Sequence, residues 1–395
     1  MISQKKLQLE YCCLQGFYWM LYCVAIGYLN SYLTGVGLQP GVVGIITATC
    51  GVLATLVQPV LGKLADQDQR YGWKIQLQVS LILCLGCYFV LKLCKDPIVS
   101  GLVCGMILLL LYVMMPFVSG AGFYYEKMGI TINFGTARGF GSLFYSVASY
   151  LLGYWVADFG VDCISTAGII VVLCFFVTAT VMPYQKTGAT LRTGEESNNH
   201  KAKFLDFFKE YPRFTGMLVG FVFLMVFYAM TNTYMLQIVE NVGGGTAEMG
   251  VVLALAGFLE LPVMFAFSWL VKKVSSYRLL LLSGIGFVGK SILYITATTV
   301  FMIYVAQFLQ IISYALFAAV SVYYANEVMD ERNKLRGQAL VGSSVTIGAV
   351  LGNLLGGATI QGFGIQLTLI AGVVAAVFGT IVVFLMKQPV PTKVK

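Results

Sequence analysis

Apolar residues run along this chain in long blocks, each broken by a few polar or charged positions. Twelve such blocks can be marked, at about 8–34, 41–64, 75–95, 98–124, 138–158, 163–183, 212–238, 247–271, 277–297, 300–326, 335–359 and 363–386. Each is long enough to cross a hydrocarbon layer roughly 30 Å thick as a helix rising about 1.5 Å per residue. A backbone in lipid must satisfy its own hydrogen bonds, so helices are the expected form. One polar stretch, Gln185–Tyr211, is rich in Lys, Glu, Asn and Thr and follows the sixth block. It reads as a solvated linker. The expected layout is an all-α membrane protein: one six-helix bundle over 1–184, a linker over 185–211 and a second bundle over 212–395.

The two halves repeat. Asn30-Ser31-Tyr32 recurs as Asn232-Thr233-Tyr234, and Tyr124-Tyr125 before Glu126 as Tyr323-Tyr324 before Glu327. Arg138-Gly139 recurs as Arg336-Gly337, and Pro59 as Pro262. All four matches lie at offsets of about 200 residues, which argues for internal duplication. Parallel six-helix repeats are a transporter layout, with the ligand site between the halves near mid-membrane.

Composition sharpens this picture. The chain is 58% hydrophobic and 11% charged, with mean hydropathy +0.84; a soluble domain carries about 25% charged residues. Of its 25 Lys and Arg, Lys92 and Lys95 fall in segments on one side and Lys290 in an apolar block. The rest fall on the other side, which the positive-inside rule makes cytoplasmic, with both termini. The expected home is the cytoplasmic (inner) membrane. This bias accounts for the net charge of +8 without a nucleic-acid partner. Lys5 and Lys6 precede a first block with no small-residue cleavage pattern after it, so a retained span is expected, not a signal peptide. The ten cysteines lie mostly in apolar blocks, and Cys84 and Cys87 read as buried thiols rather than zinc or redox chemistry. No phosphate-binding loop, nucleotide fingerprint, metal cluster or nucleophile–base set stands out. The chain is expected to be no enzyme and to need no cofactor or metal.

Two charges break the rule that apolar blocks stay apolar. Glu260 sits in GFLELPVMF and Lys290 in GFVGKSILY, either side of the elbow Lys272–Tyr277. In an antiparallel pair both lie roughly 20 Å along their helices from the elbow, near mid-membrane. An ionisable group there is a functional candidate by default. Low dielectric favours a neutral carboxyl and a nearby cation favours a charged one, so Glu260 beside Lys290 could hold either protonation state. The bland counterpart is a permanent ion pair tying two helices together, which is a poor stabiliser. The only histidine, His200, is in the polar linker and cannot relay protons within the membrane.

Gly62-Lys-Leu-Ala-Asp66 followed by Arg70-Tyr-Gly72-Trp-Lys74 resembles the major facilitator signature, with Gln67–Gln69 inserted. That resemblance implies the major facilitator fold and a cytoplasmic gating role for Asp66, Arg70 and Gly72. Asn133-Phe-Gly-Thr-Ala-Arg138-Gly-Phe-Gly141-Ser142 with Tyr145, the run Glu260-Leu-Pro262, Lys290, and Arg336-Gly-Gln338 through Gly357 resemble the lactose permease group of oligosaccharide and nucleoside proton symporters. By that resemblance Arg138 and Tyr145 contact substrate. Departures are the Gly122 in place of an acid before Glu126, and Tyr314 and Phe317 where an intramembrane histidine and glutamate are expected. Lactose-type recognition therefore does not carry over.

Other polar groups inside blocks need partners in a lipid-depleted place: Asn30, Gln58, Asn232, Gln307, Gln310 and Asn353. Beside tyrosines such as Tyr22 and Tyr314 they suit a neutral, hydroxyl-rich ligand, or equally hydrogen bonding between helices. The expectation is a monomeric secondary transporter for proton-coupled symport of a sugar-like or nucleoside-like solute. Glu260 and Lys290 would serve coupling. Arg138, Tyr145, Asn30, Asn232, Tyr22, Gln307, Tyr314 and Asn353 would contact substrate. The alternatives are a proton-antiporting drug or metabolite exporter, which needs a larger, more apolar cavity, and a non-transporting scaffold, whose cavity would be blocked.

Overall fold

The structure is a computed structural model and describes residues 4–67, 72–127, 130, 132–184, 207–330 and 333–387. Its long helices alternate in direction. α1 spans Gln4–Gly35, α2 Pro40–Gln67, α3 Trp73–Leu93, α4 Pro97–Lys127, α5 Phe134–Phe159 and α6 Asp162–Val181. After the linker come α7 (Pro212–Thr233, continued by Met235–Glu240), α8 (Thr246–Lys273), α9 (Ser276–Thr296), α10 (Val300–Val328), α11 (Lys334–Phe363) and α12 (Ile365–Leu385). These are the twelve expected helices, with ends shifted by a few residues.

Among the described residues, eleven helices are long and apolar enough to cross a membrane. The exception, α5, has the length but is diluted by Arg138 and by Ser142, Ser146 and Ser149 on one face. Those polar positions are the reason it sits where it does, against α8 between the halves. The chain is a multi-pass integral membrane protein.

Turns on one face of the bundle are short. Gly37, Gly160, Gly243 and Gly364 have φ between 77° and 95°, a backbone region that other residues rarely adopt, and each reverses the chain within a few residues. The opposite face carries charged helix ends, among them Lys5, Lys6, Lys272, Lys273 and Lys334. α1–α6 pack among themselves, as do α7–α12; the halves meet through α5 with α8, α2 with α11, and α1 with α7. α1 and α7 are the most enclosed of the eleven spans.

Three hydrogen bonds between the halves lie on the short-turn side. Asn30 Nδ2 donates to Gln237 Oε1 at 2.5 Å, Tyr234 Oη to the Pro40 carbonyl at 3.3 Å, and Gln361 to Gln39. There the α5–α8 crossing is also at its tightest. A side chain at Gly153 would meet Gly250 Cα at 2.8 Å and Tyr28 Oη at 3.1 Å. Small residues let two backbones approach this closely in lipid.

Candidate functional site

The α5–α8 seam builds the site. On α8 one face carries Thr246, Gly250, Leu253, Gly257 and Glu260, at alternating spacings of four and three residues. On α5 Ser142, Ser146, Ser149 and Gly153 form the matching stripe. At Gly257 any side chain would meet Ser146 Oγ at 2.6 Å and the Ser142 carbonyl at 3.2 Å, so glycine lets the helices close. Glu260 is the next step along the same stripe, and the seam directs it toward Arg138 and Ser142. Pro262 cannot donate to the Phe258 carbonyl, which loosens α8 one turn from Glu260.

Beside the seam lies a cavity of about 70 Å³, room for several waters. Glu260, Arg138, Ser142 and Tyr145 wall one side. Trp19 and Tyr22 of α1, one turn apart, form a second wall, and Tyr228, Asn232 and Tyr314 a third. Tyr228 and Tyr314 stack face to face, with centroids 3.9 Å apart and planes 3° from parallel. A smaller cavity of about 10 Å³, room for roughly one water, adjoins the first, and Tyr228, Asn232 and Ala256 line both. Lys290, Gln307 and Gln310 line the smaller one.

Glu260 is 8% exposed and Lys290 5%. Among the described residues neither forms an ion pair within 4 Å. The direct Glu260–Lys290 contact expected from the hairpin is replaced by a relay through α10. Lys290 Nζ donates to Gln310 Oε1 at 2.6 Å and to Gln307 Oε1 at 3.0 Å. Gln310 Nε2 then donates to Glu260 Oε1 at 3.3 Å, and Gln307 Nε2 to Tyr294 Oη at 2.5 Å. The amide of Gln310 is thus polarised between a cation and an acid. α10 has a wider, π-type turn at Ile311–Ala315, directly after Gln310. α1 has the same feature at Cys23–Gly27, directly after Tyr22. Such turns re-aim side chains, and they recur at functional sites.

Arg138 does not reach out toward headgroups. Its guanidinium lies 3.9 Å from the Trp19 ring centroid, and Nη1 donates to Ser142 Oγ at 2.9 Å. Its repeat partner Arg336 sits over the Phe207 ring instead, at 5.7 Å.

Of the residues expected to contact substrate, Arg138, Tyr145, Tyr22, Asn232 and Tyr314 line the main cavity, and Gln307 lines the smaller one. Asn30 and Asn353 line neither. Asn30 is engaged with Gln237, while Asn353 Oδ1 accepts from Thr233 Oγ1 at 2.7 Å and ties α11 to α7. The expected symmetric pair Asn30 and Asn232 is therefore split, because the short-turn seal uses one and the cavity the other. Trp19, Ser142 and Tyr228 were not among the residues expected to contact substrate; their spacing to Tyr22, Arg138 and Asn232, one turn each, is the signal that points to them. Of the expected gating residues, Gly72 caps α3 and backs on the Tyr184 ring. The Asp66 side chain and Arg70 lie outside the described residues.

Gln310 gives the relay a test. Gln310→Leu leaves Lys290 with one acceptor fewer and Glu260 without its amide donor. A buried polar group left unpaired costs roughly 1–3 kcal/mol. The purified variant should unfold at a clearly lower temperature in detergent; an unchanged melting curve would mean the relay contributes nothing.

The family follows from comparison. The model of the MFS_1 like family matches residues 11–371. The chain belongs to that family. It is a major facilitator transporter in architecture and class. An uncharacterized transporter, YwbF of Bacillus subtilis (strain 168), is 23% identical over 366 residues, covering 88% of this chain and 84% of that one. Among solved structures, a mutant of the nucleoside transporter NupG superposes with TM-score 0.81 at 12% identity, covering 96% of this chain and 98% of NupG. A peptide transporter, POT, gives 0.73 at 10% identity, covering 98% and 97%. At these identities the likeness is one of fold.

Proposed function

We propose that this chain is a secondary transporter of the cytoplasmic membrane that carries protons together with a small sugar-like or nucleoside-like solute, by alternating access between its halves. The observation that carries the reading is the setting of Glu260. It is the one acid lining either cavity among the described residues, and it lies between an arginine and a polarised amide. A carboxyl held this way can be charged when the cavity is wet and neutral when it is closed. Arg138, Asn232, Tyr22 and Tyr145 would meet hydroxyls, and the Tyr228–Tyr314 stack would meet a ring face. The positive-inside bias supports a cytoplasmic placement of the charged loops and both ends. On that reading the short-turn seal lies on the outer side. NupG, described as a nucleoside transporter, is compatible with this reading and contributes the fold. An exporter of large apolar compounds is disfavoured by a cavity walled by tyrosines, an amide and charges.

The test is a pH electrode in lightly buffered proteoliposomes. Adding a transported solute should raise the external pH as protons follow it inward. Solute uptake with no pH change would contradict proton coupling.

A further inference from the structure

The two cavities hold an unbalanced set of charges. Arg138 lines the larger and Lys290 the smaller, against the single carboxylate of Glu260. Neither cation is neutralised by contact, since among the described residues no ion pair within 4 Å reaches either. Arg138 donates one hydrogen bond to Ser142 and lays its flat face on Trp19, which leaves in-plane N–H donors uncommitted. Lys290 gives two of its three N–H groups to the oxygens of Gln307 and Gln310. Amide oxygens solvate an ammonium group without cancelling its charge. Net positive charge inside a membrane is costly unless a counter-charge is supplied. Each proton taken up by Glu260 makes the excess larger.

Resting on the proton-coupled reading, we infer that the solute is a monoanion: a sugar acid or similar hydroxylated monocarboxylate. Its carboxylate seats where the cavities meet, on the free donors of Arg138 and on Asn232, within the field of Lys290. A planar guanidinium with an open edge matches a carboxylate in two-point geometry. The solute hydroxyls face Tyr22 and Tyr145. The groups facing Glu260 are Arg138 and Tyr145 from α5, Lys290 from α9, Tyr22 from α1, Tyr228 from α7 and Tyr314 from α10. Among the described residues no other acid lines either cavity to balance the cations. One proton on Glu260 and one anion in the seat cross as a neutral pair.

The experiment uses the full-length carrier and matched probes: glucuronate against glucose, galacturonate against galactose, with gluconate and uridine added. Binding is read by thermal shift. At least one acid should bind tenfold or more tightly than its neutral partner. Lys290→Gln should lower that preference about tenfold, and Lys290→Arg should keep it. In proteoliposomes, uptake of the preferred acid should follow an inward proton gradient and ignore a potassium diffusion potential set with valinomycin. A neutral sugar or uridine binding as well as the acids, or no acid binding, overturns the inference. So does uptake that responds to the potential, which leaves proton coupling standing. Uptake that follows neither gradient overturns the coupling itself and the anion with it.

Discussion

Glu260→Gln should abolish proton-driven accumulation while leaving solute exchange in place. One pH unit is worth about 1.4 kcal/mol per proton, a factor of about ten in concentration. Vesicles with that gradient should concentrate solute up to tenfold with the wild-type carrier and not at all with the variant. Glutamine keeps the length of the side chain and can still accept the Gln310 N–H through its oxygen. What it loses is the site for a transferable proton. Counterflow of labelled solute against unlabelled solute needs no proton release, so it should persist and show that the variant is folded. Accumulation that survives the change would place coupling on another group.

Gly250→Val should block closure on the short-turn side. At Gly250 even a Cβ would meet Gly153 Cα and the Ser149 carbonyl, both at 2.7 Å, and these are backbone atoms with little room to yield. Overpacking of this kind costs about 1–3 kcal/mol, enough to shift an open–closed equilibrium roughly 5- to 150-fold. The penalty falls on the sealed state alone, because the halves must separate there to open. Gln237→Cys in a cysteine-free background reports the seal directly, since Gln237 is held by Asn30 when it is closed. Adding Gly250→Val should speed its labelling by a membrane-impermeant maleimide by about ten- to a hundredfold, and net transport should fall with it. Unchanged labelling would mean that this crossing does not set the conformation.

The fold was legible because each span is a long apolar block with its own turn, and lipid leaves a helix few alternatives. Glu260 and Lys290 were legible as charges where charge is expensive, and Arg138 through the resemblance of its motif. Their placement was not, because a charge in a block does not reveal which neighbour it faces. That information lay in the stripe Gly250, Leu253, Gly257, Glu260, whose small residues mark the seam with α5. Asn30 and Asn353 show the opposite difficulty. A buried amide needs a partner, but the need is the same whether a ligand or a neighbouring helix meets it. Gln310 was noted as buried and polar, yet its place between Lys290 and Glu260 depends on contacts between α8, α9 and α10. No spacing within one helix encodes those. The wide turns after Tyr22 and Gln310 also shift the register that ideal helical spacing assumes. Tyr32, beyond the first of these turns, donates to the Leu91 carbonyl.

The most direct measurement of whether Glu260 carries the proton is infrared difference spectroscopy of the carrier in lipid, titrated in pH with and without bound solute. The expected result is one protonated-carboxyl band that grows on acidification, moves when solute binds and is missing from Glu260→Gln. A band that ignores solute, or that persists in the glutamine variant, would contradict the assignment.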